Sequence, residues 1–118
     1  MELNEYQEKA MSTCLPSCEN FSYMALNLVG EMGEFAGKVA KAIRKDQAFI
    51  GEYNDLIADT EVWPDLEADL KSEAGDIFWQ FACLCNVMGW SLESVAKGNL
   101  DKLANRQKEG TIISHTDH

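Results

Sequence analysis

Histidine is almost missing from this 118-residue chain, with two copies, His115 and His118, both in the last four residues. Di-iron carboxylate bundles draw on Glu-x-x-His pairs in their helices, so that chemistry is not expected. No apolar run approaches the roughly 18 residues that argue for a membrane span, although 46% of the chain is hydrophobic. A membrane partner is therefore not expected. Met1 to Gln7 are polar and lack a signal-peptide pattern, which makes a cytoplasmic location the expectation. Basic residues are also scarce, with 10 Lys and Arg against 20 Asp and Glu and a net charge of -10. Nucleic-acid backbone calls for a basic patch, so no nucleic-acid partner is expected. A small phosphorylated ligand stays open, because a metal can bridge acidic protein and anionic phosphate.

The four cysteines are Cys14, Cys18, Cys83 and Cys85. Zinc sites more often show two closely spaced Cys pairs or added histidines. Cys83 and Cys85 stand in an apolar helical run, where a free Cys behaves as a small hydrophobe. Cys14 and Cys18 flank Leu15-Pro16-Ser17 in an expected turn. All four read as core or incidental thiols.

Proline occurs twice, at Pro16 and Pro64, and both mark boundaries between helices. A first helix is expected over about 5–14, with Asn4 as cap and Gln7 at the capping-box position. A second runs over about 21–45. A third follows Trp63, with Pro64 in its first turn and Asp65 and Glu67 favouring its dipole. It ends near Met88, with Gly89 as a C-terminal cap. The fourth runs from Ser91 to about Gln107, with Trp90 and Val95 placed as a hydrophobic staple. Residues 46–63 form a mixed connection in which a short helix is the one element considered, and no strand alternation is strong enough to defend. The expectation is an all-α, four-helix-bundle-like fold, with one domain over 1–110 and a loose tail over 111–118.

Helical faces follow from advancing about 100° per residue. In the second helix Phe21, Met24, Leu28, Met32, Phe35, Val39 and Ile43 form one stripe, with Glu31 and Glu34 beside it. Another side carries Leu26 and a row of small residues, Gly30, Gly33, Gly37 and Ala40. Each interior glycine costs about 1 kcal/mol relative to Ala, so this row predicts close approach of another backbone, a second subunit included. The third helix is apolar nearly all round from Ile77 to Cys85, as for a central or oligomer-buried helix.

Two carboxylate pairs stand out, Glu31-x-x-Glu34 and Glu73-x-x-Asp76. Residues three apart share a helical face, so each pair aims two carboxylates one way. Glu73 borders the third helix's apolar stripe, where an isolated ionised carboxylate is costly. Gln80 shares that side and can hydrogen-bond the site. Glu31 and Glu34 alone fit a solvated face. If the two stripes pack together, the pairs meet and need a cation between them. A hard divalent metal such as magnesium, with manganese as a substitute, takes oxygen ligands of this kind. In the fourth helix Asn99 interrupts the stripe of Leu92, Val95, Ala96, Leu100 and Leu103, and Lys102 and Arg106 flank it. Two readings stand for these three: a satisfied amide and a solvated helix end, or ligands for a polyphosphate.

The motifs Leu3-Asn4-Glu5-Tyr6-Gln7, Gly30-Glu31-Met32-Gly33-Glu34, Glu73-Ala74-Gly75-Asp76 and Lys97-Gly98-Asn99-Leu100-Asp101-Lys102, with Arg106, resemble the MazG-like, all-α nucleoside triphosphate pyrophosphohydrolases. The resemblance implies magnesium-dependent hydrolysis of a nucleoside or deoxynucleoside triphosphate to monophosphate and pyrophosphate. It implies Glu31, Glu34, Glu73 and Asp76 as metal ligands. It also implies Asn99, Lys102 and Arg106 as substrate ligands and Gln7 near the nucleotide, where a capping role is the other reading. One carboxylate would serve as general base, with Glu34 preferred. Similar proteins form homodimers or homotetramers, in keeping with the small-residue face. The 38 residues from Phe35 to Ser72 look longer than the usual spacer, with the excess in the 46–63 connection. Competing expectations are a related enzyme for deoxyuridine nucleotides or phosphoribosyl-ATP, and a catalytically inactive nucleotide-binding scaffold.

Overall fold

The computed structural model describes residues 1–110, apart from the side chains of Ser17 and Cys18; the expected tail, 111–118, lies outside the described residues. The elements in order are α1 (Leu3–Met11), a 3-10 turn (Pro16–Glu19), α2 (Phe21–Arg44), β1 (Ala48–Ile50), β2 (Leu56–Ala58), α3 (Trp63–Val87) and α4 (Leu92–Glu109). None of the described helices is long and apolar enough to cross a membrane.

The helix ends follow local chemistry. Asn20 caps α2 by accepting from the Tyr23 N–H at 3.0 Å, which satisfies one of the first-turn donors. At the other end Asp46 takes φ 58°. The Asp46 and Gln47 N–H groups then bond back to the Ile43 and Ala42 carbonyls, closing a Schellman motif. The end of α3 repeats this with Gly89 at φ 75° and Trp90 N–H donating to the Cys85 carbonyl at 2.8 Å. Pro64 sits in the first turn of α3, as expected.

The start of the chain departs from expectation. Helix α1 begins at Leu3 after Glu2, without a side-chain cap. Asn4 and Gln7 instead reach across to α4. Gln7 Oε1 accepts from Leu92 N–H at 2.9 Å and its Nε2 donates to the Trp90 carbonyl at 3.0 Å. Asn4 Oδ1 accepts from Glu93 N–H at 3.2 Å, and Ser91 Oγ from Ser94 N–H at 3.1 Å. Three orphan donors of the α4 N-terminus are thereby satisfied, two of them by α1.

The 46–63 connection contains an antiparallel hairpin with Ala48 opposite Ala58 and Ile50 opposite Leu56, where a short helix, and no strand, was considered. Its turn places Asn54 at φ 61°. A Cβ on Gly51 would meet Ile57 Cδ1 at 2.5 Å, so a larger residue there would move the Ile57 side chain. The hairpin buries Ala48 against Ala42, Leu66 and Leu70, with Phe35 and Val39 beside them. At the far end of the α2–α3 seam Met24 packs on Cys83, with Trp79 and Leu84 alongside. Met24 with Cys83 and Ala42 with Leu66 make α2 and α3 antiparallel. A third cluster, Ala82, Cys85 and Leu92, joins α3 to α4 and takes Tyr6 from α1. Cys83 and Cys85 are buried free thiols, as expected. Cys14 lies beside them, its sulfur 3.4 Å from that of Cys83.

Candidate metal centre

Between its two apolar ends the α2–α3 seam is polar. Glu31 stands seven residues after Met24, two helical turns along α2, and Asp76 seven residues before Cys83 on α3. Antiparallel packing therefore brings them to the same level. One carboxylate oxygen each from Glu31, Glu73 and Asp76 lies within 4.8 Å of the others. Glu31 and Glu73 are half-buried and Asp76 is exposed, so the cluster is walled by the helices and open on one side.

The electrostatics are those of a site short of positive charge. Glu31 Oε2 and Glu73 Oε2 are buried with no hydrogen-bond partner, and native proteins rarely leave such atoms unpaired. Burial raises the Glu31 pKa above its ordinary 4.5, and the charges of Glu34, Asp76 and Glu73 raise it further. Glu73 is raised by burial, then by Glu34, while Lys38 pulls it back. Ligand oxygens at 2.0–2.1 Å on one octahedral ion lie about 3 to 4 Å from each other. The three carboxylates fit such an ion after a small closure, and their orphaned oxygens are the acceptors it would satisfy.

Glu34 is exposed and stands outside the three-carboxylate group. Its charge still acts on the group, raising the pKa of both Glu31 and Glu73. It also opens onto a second cleft of about 390 Å³ lined by Gly37, Lys38, Lys41 and Glu73. On the opposite side a cleft of about 410 Å³ is lined by Glu31, Asp76, Trp79 and Gln80.

The other expected residues are not gathered here. Both ends of the Gln7 amide are held by the backbone around the α4 N-terminus, so its capping function is the one observed, exercised on α4. Asn99 and Lys102 are exposed and Arg106 is half-buried on α4; none of the three lines either cleft. Asn99 does not sit as an enclosed amide: it is exposed, as is Leu100 beside it at 66%. The cations that do border the cluster are Lys38 and Lys41, which the sequence did not single out as site residues. Their signal was their position, four and seven residues after Glu34 on the same side.

Residues 19–111 match the MazG nucleotide pyrophosphohydrolase domain. The chain belongs to the MazG family. The match takes in α2, the hairpin, α3 and α4, and so both halves of the carboxylate cluster. The chain is also 33% identical over 125 residues to the Gene 37 protein of Mycobacterium phage L5, covering all of this chain and 99% of that one. No solved structure matches. As a MazG-family chain the protein is assigned to nucleotide pyrophosphohydrolases in general, and the mostly helical fold agrees with that family.

Proposed function

We propose that this MazG-family protein hydrolyses a nucleoside or deoxynucleoside triphosphate to the monophosphate and pyrophosphate, with magnesium held by Glu31, Glu73 and Asp76. The observation that carries the reading is the pair of buried, unpartnered oxygens on Glu31 and Glu73 within reach of Asp76. Magnesium supplies charge neutralisation and polarises phosphoryl oxygens when bound, and manganese is a substitute.

The residues divide the work along the groove. Glu34, beside the cluster yet open to solvent, accepts a proton from the attacking water. Oxygen adds to the α-phosphorus, the α–β anhydride bond breaks, and pyrophosphate leaves with the bonding electrons. Lys38 and Lys41, in the cleft beyond Glu34, meet the charge that grows on the departing phosphates. Their ammonium groups take the place in one chain that Lys102 and Arg106 were expected to fill. Asn99, Lys102 and Arg106 take a phosphate role only across a contact between two copies. Such a contact has a surface available: Leu26 and Val29 are 72% and 67% exposed, and among the described residues nothing beyond the adjoining helix backbone lies within 4 Å of where a Cβ would stand on Gly30, Gly33 or Gly37.

Incubation of the purified protein with magnesium and a panel of triphosphates, resolving pyrophosphate from single phosphate, tests the reading. Monophosphate and pyrophosphate in equal amounts are expected. Release of single phosphate, or no release from any triphosphate, contradicts it.

A further inference from the structure

The α2–α3 groove continues past the carboxylates toward the α2 N-terminus, and there it holds a further unpartnered polar atom. Gln80 is 8% exposed, and its Oε1 is buried without a hydrogen-bond partner. It lines the cleft that contains Glu31 and Asp76, and equally a smaller cavity of about 190 Å³. That cavity is bounded by Thr13, Leu15, Tyr23, Asn27 and Trp79. Asn27 lies one turn before Glu31 on α2, and Gln80 one turn after Asp76 on α3, a rise of about 5.4 Å. The cavity therefore opens one turn from the proposed metal, on the side away from Lys38 and Lys41.

Its walls suit a flat heteroaromatic group. The Trp79 indole is fixed by its N–H, which donates to Thr13 Oγ1 at 3.1 Å and toward the Ala10 carbonyl at 3.3 Å. Tyr23 is half exposed across the opening. An aromatic wall stacks any base face and so discriminates weakly, whereas a buried amide discriminates by hydrogen bonding. We propose that this cavity is a nucleobase pocket and that Gln80 sets its specificity, its Oε1 accepting from an N–H on the hydrogen-bonding edge of the base. Trp79 and Tyr23 supply the stacking surface. The inference rests on the triphosphate reading above for the nature of the ligand. It adds an orientation, with the base toward the α2 N-terminus and the phosphate tail toward Lys38 and Lys41.

Wild type is compared with Gln80→Leu and with Gln80→Met, which keeps the side-chain length. The readouts are turnover of the common ribo- and deoxyribonucleoside triphosphates, calorimetric binding of the matching monophosphates, and the thermal shift given by magnesium alone. Both variants are expected to lower the best-to-worst base ratio at least tenfold in turnover and binding, with the magnesium shift unchanged. A loss equal for every base, or an unchanged ratio, overturns the assignment and leaves the catalytic reading standing. Base-selective monophosphate binding that the variants flatten, without turnover of any triphosphate, keeps the pocket and overturns the catalytic reading. Wild type with no base preference in either readout overturns the pocket whatever its turnover.

Discussion

Glu31 and Glu73 show how a residue's meaning changes with its neighbours. On one helix Glu31 is a charged residue beside an apolar stripe; across the seam it is a half-buried carboxylate with an unpaired oxygen. Glu73→Ala is predicted to cut turnover at least 100-fold while circular dichroism keeps the wild-type helix content; near-wild-type turnover would remove Glu73 from the site. The acidic cluster also predicts a pH effect. Burial and mutual repulsion hold the folded-state pKa values of Glu31 and Glu73 above the ordinary 4.5. The folded chain thus retains protons that the unfolded chain releases, so this contribution is full below the unfolded pKa and is lost as pH rises through the folded values. In chelator, wild type is predicted to lose thermal midpoint relative to Glu31→Gln as pH rises from about 4.5 toward 7. Added magnesium is predicted to raise the wild-type midpoint at pH 7 and to raise the variant's less. A wild-type minus variant difference that is flat with pH would show that the carboxylates do not repel. The carboxylate pairs were legible in the sequence because i, i+3 spacing is a one-helix property. Lys38 and Lys41 were not legible as site residues, because their distance from Glu73 is set by the packing of two helices.

At the scale of elements, the helices were legible where breakers and caps are local. Pro64, Gly89 and Ser91 bracket α3 and α4 within a residue or two of expectation. The hairpin was not legible, since its strands have three residues each, too few for alternation to register, and Phe49 and Ile50 are both more than half exposed. Asn4 and Gln7 misled for a different reason. Their spacing mimics a capping box, yet their partners lie 83 to 89 residues away at and just before the start of α4, a pairing that no local pattern encodes. Gln7→Ala is predicted to cost about 1–3 kcal/mol, because it strands the N–H of Leu92, a residue 3% exposed. Urea unfolding measures it, and a change below about 0.5 kcal/mol would mean that water replaces the amide without loss.

The whole molecule carries a net charge of -10 and an uncovered apolar side on α2, where Phe21, Leu26, Val29 and Met32 are each more than half exposed. Exposed apolar surface of this kind marks contact with a partner more often than with water. A charged substitution on it, Val29→Glu, is predicted to shift sedimentation toward a single chain with the fold intact; an unchanged mass would place any assembly elsewhere. The expectation of an all-α chain survives the inserted hairpin, since the two strands pack on the α2–α3 seam without interrupting it. What the seam encloses decides the account. The most direct measurement is product analysis after wild-type protein meets nucleoside triphosphates with magnesium and, in parallel, with chelator. Monophosphate and pyrophosphate in equal amounts with magnesium, and neither with chelator, is the predicted result. Undiminished turnover in chelator, or single phosphate as the product, would contradict a metal-dependent pyrophosphohydrolase centred on Glu31, Glu73 and Asp76.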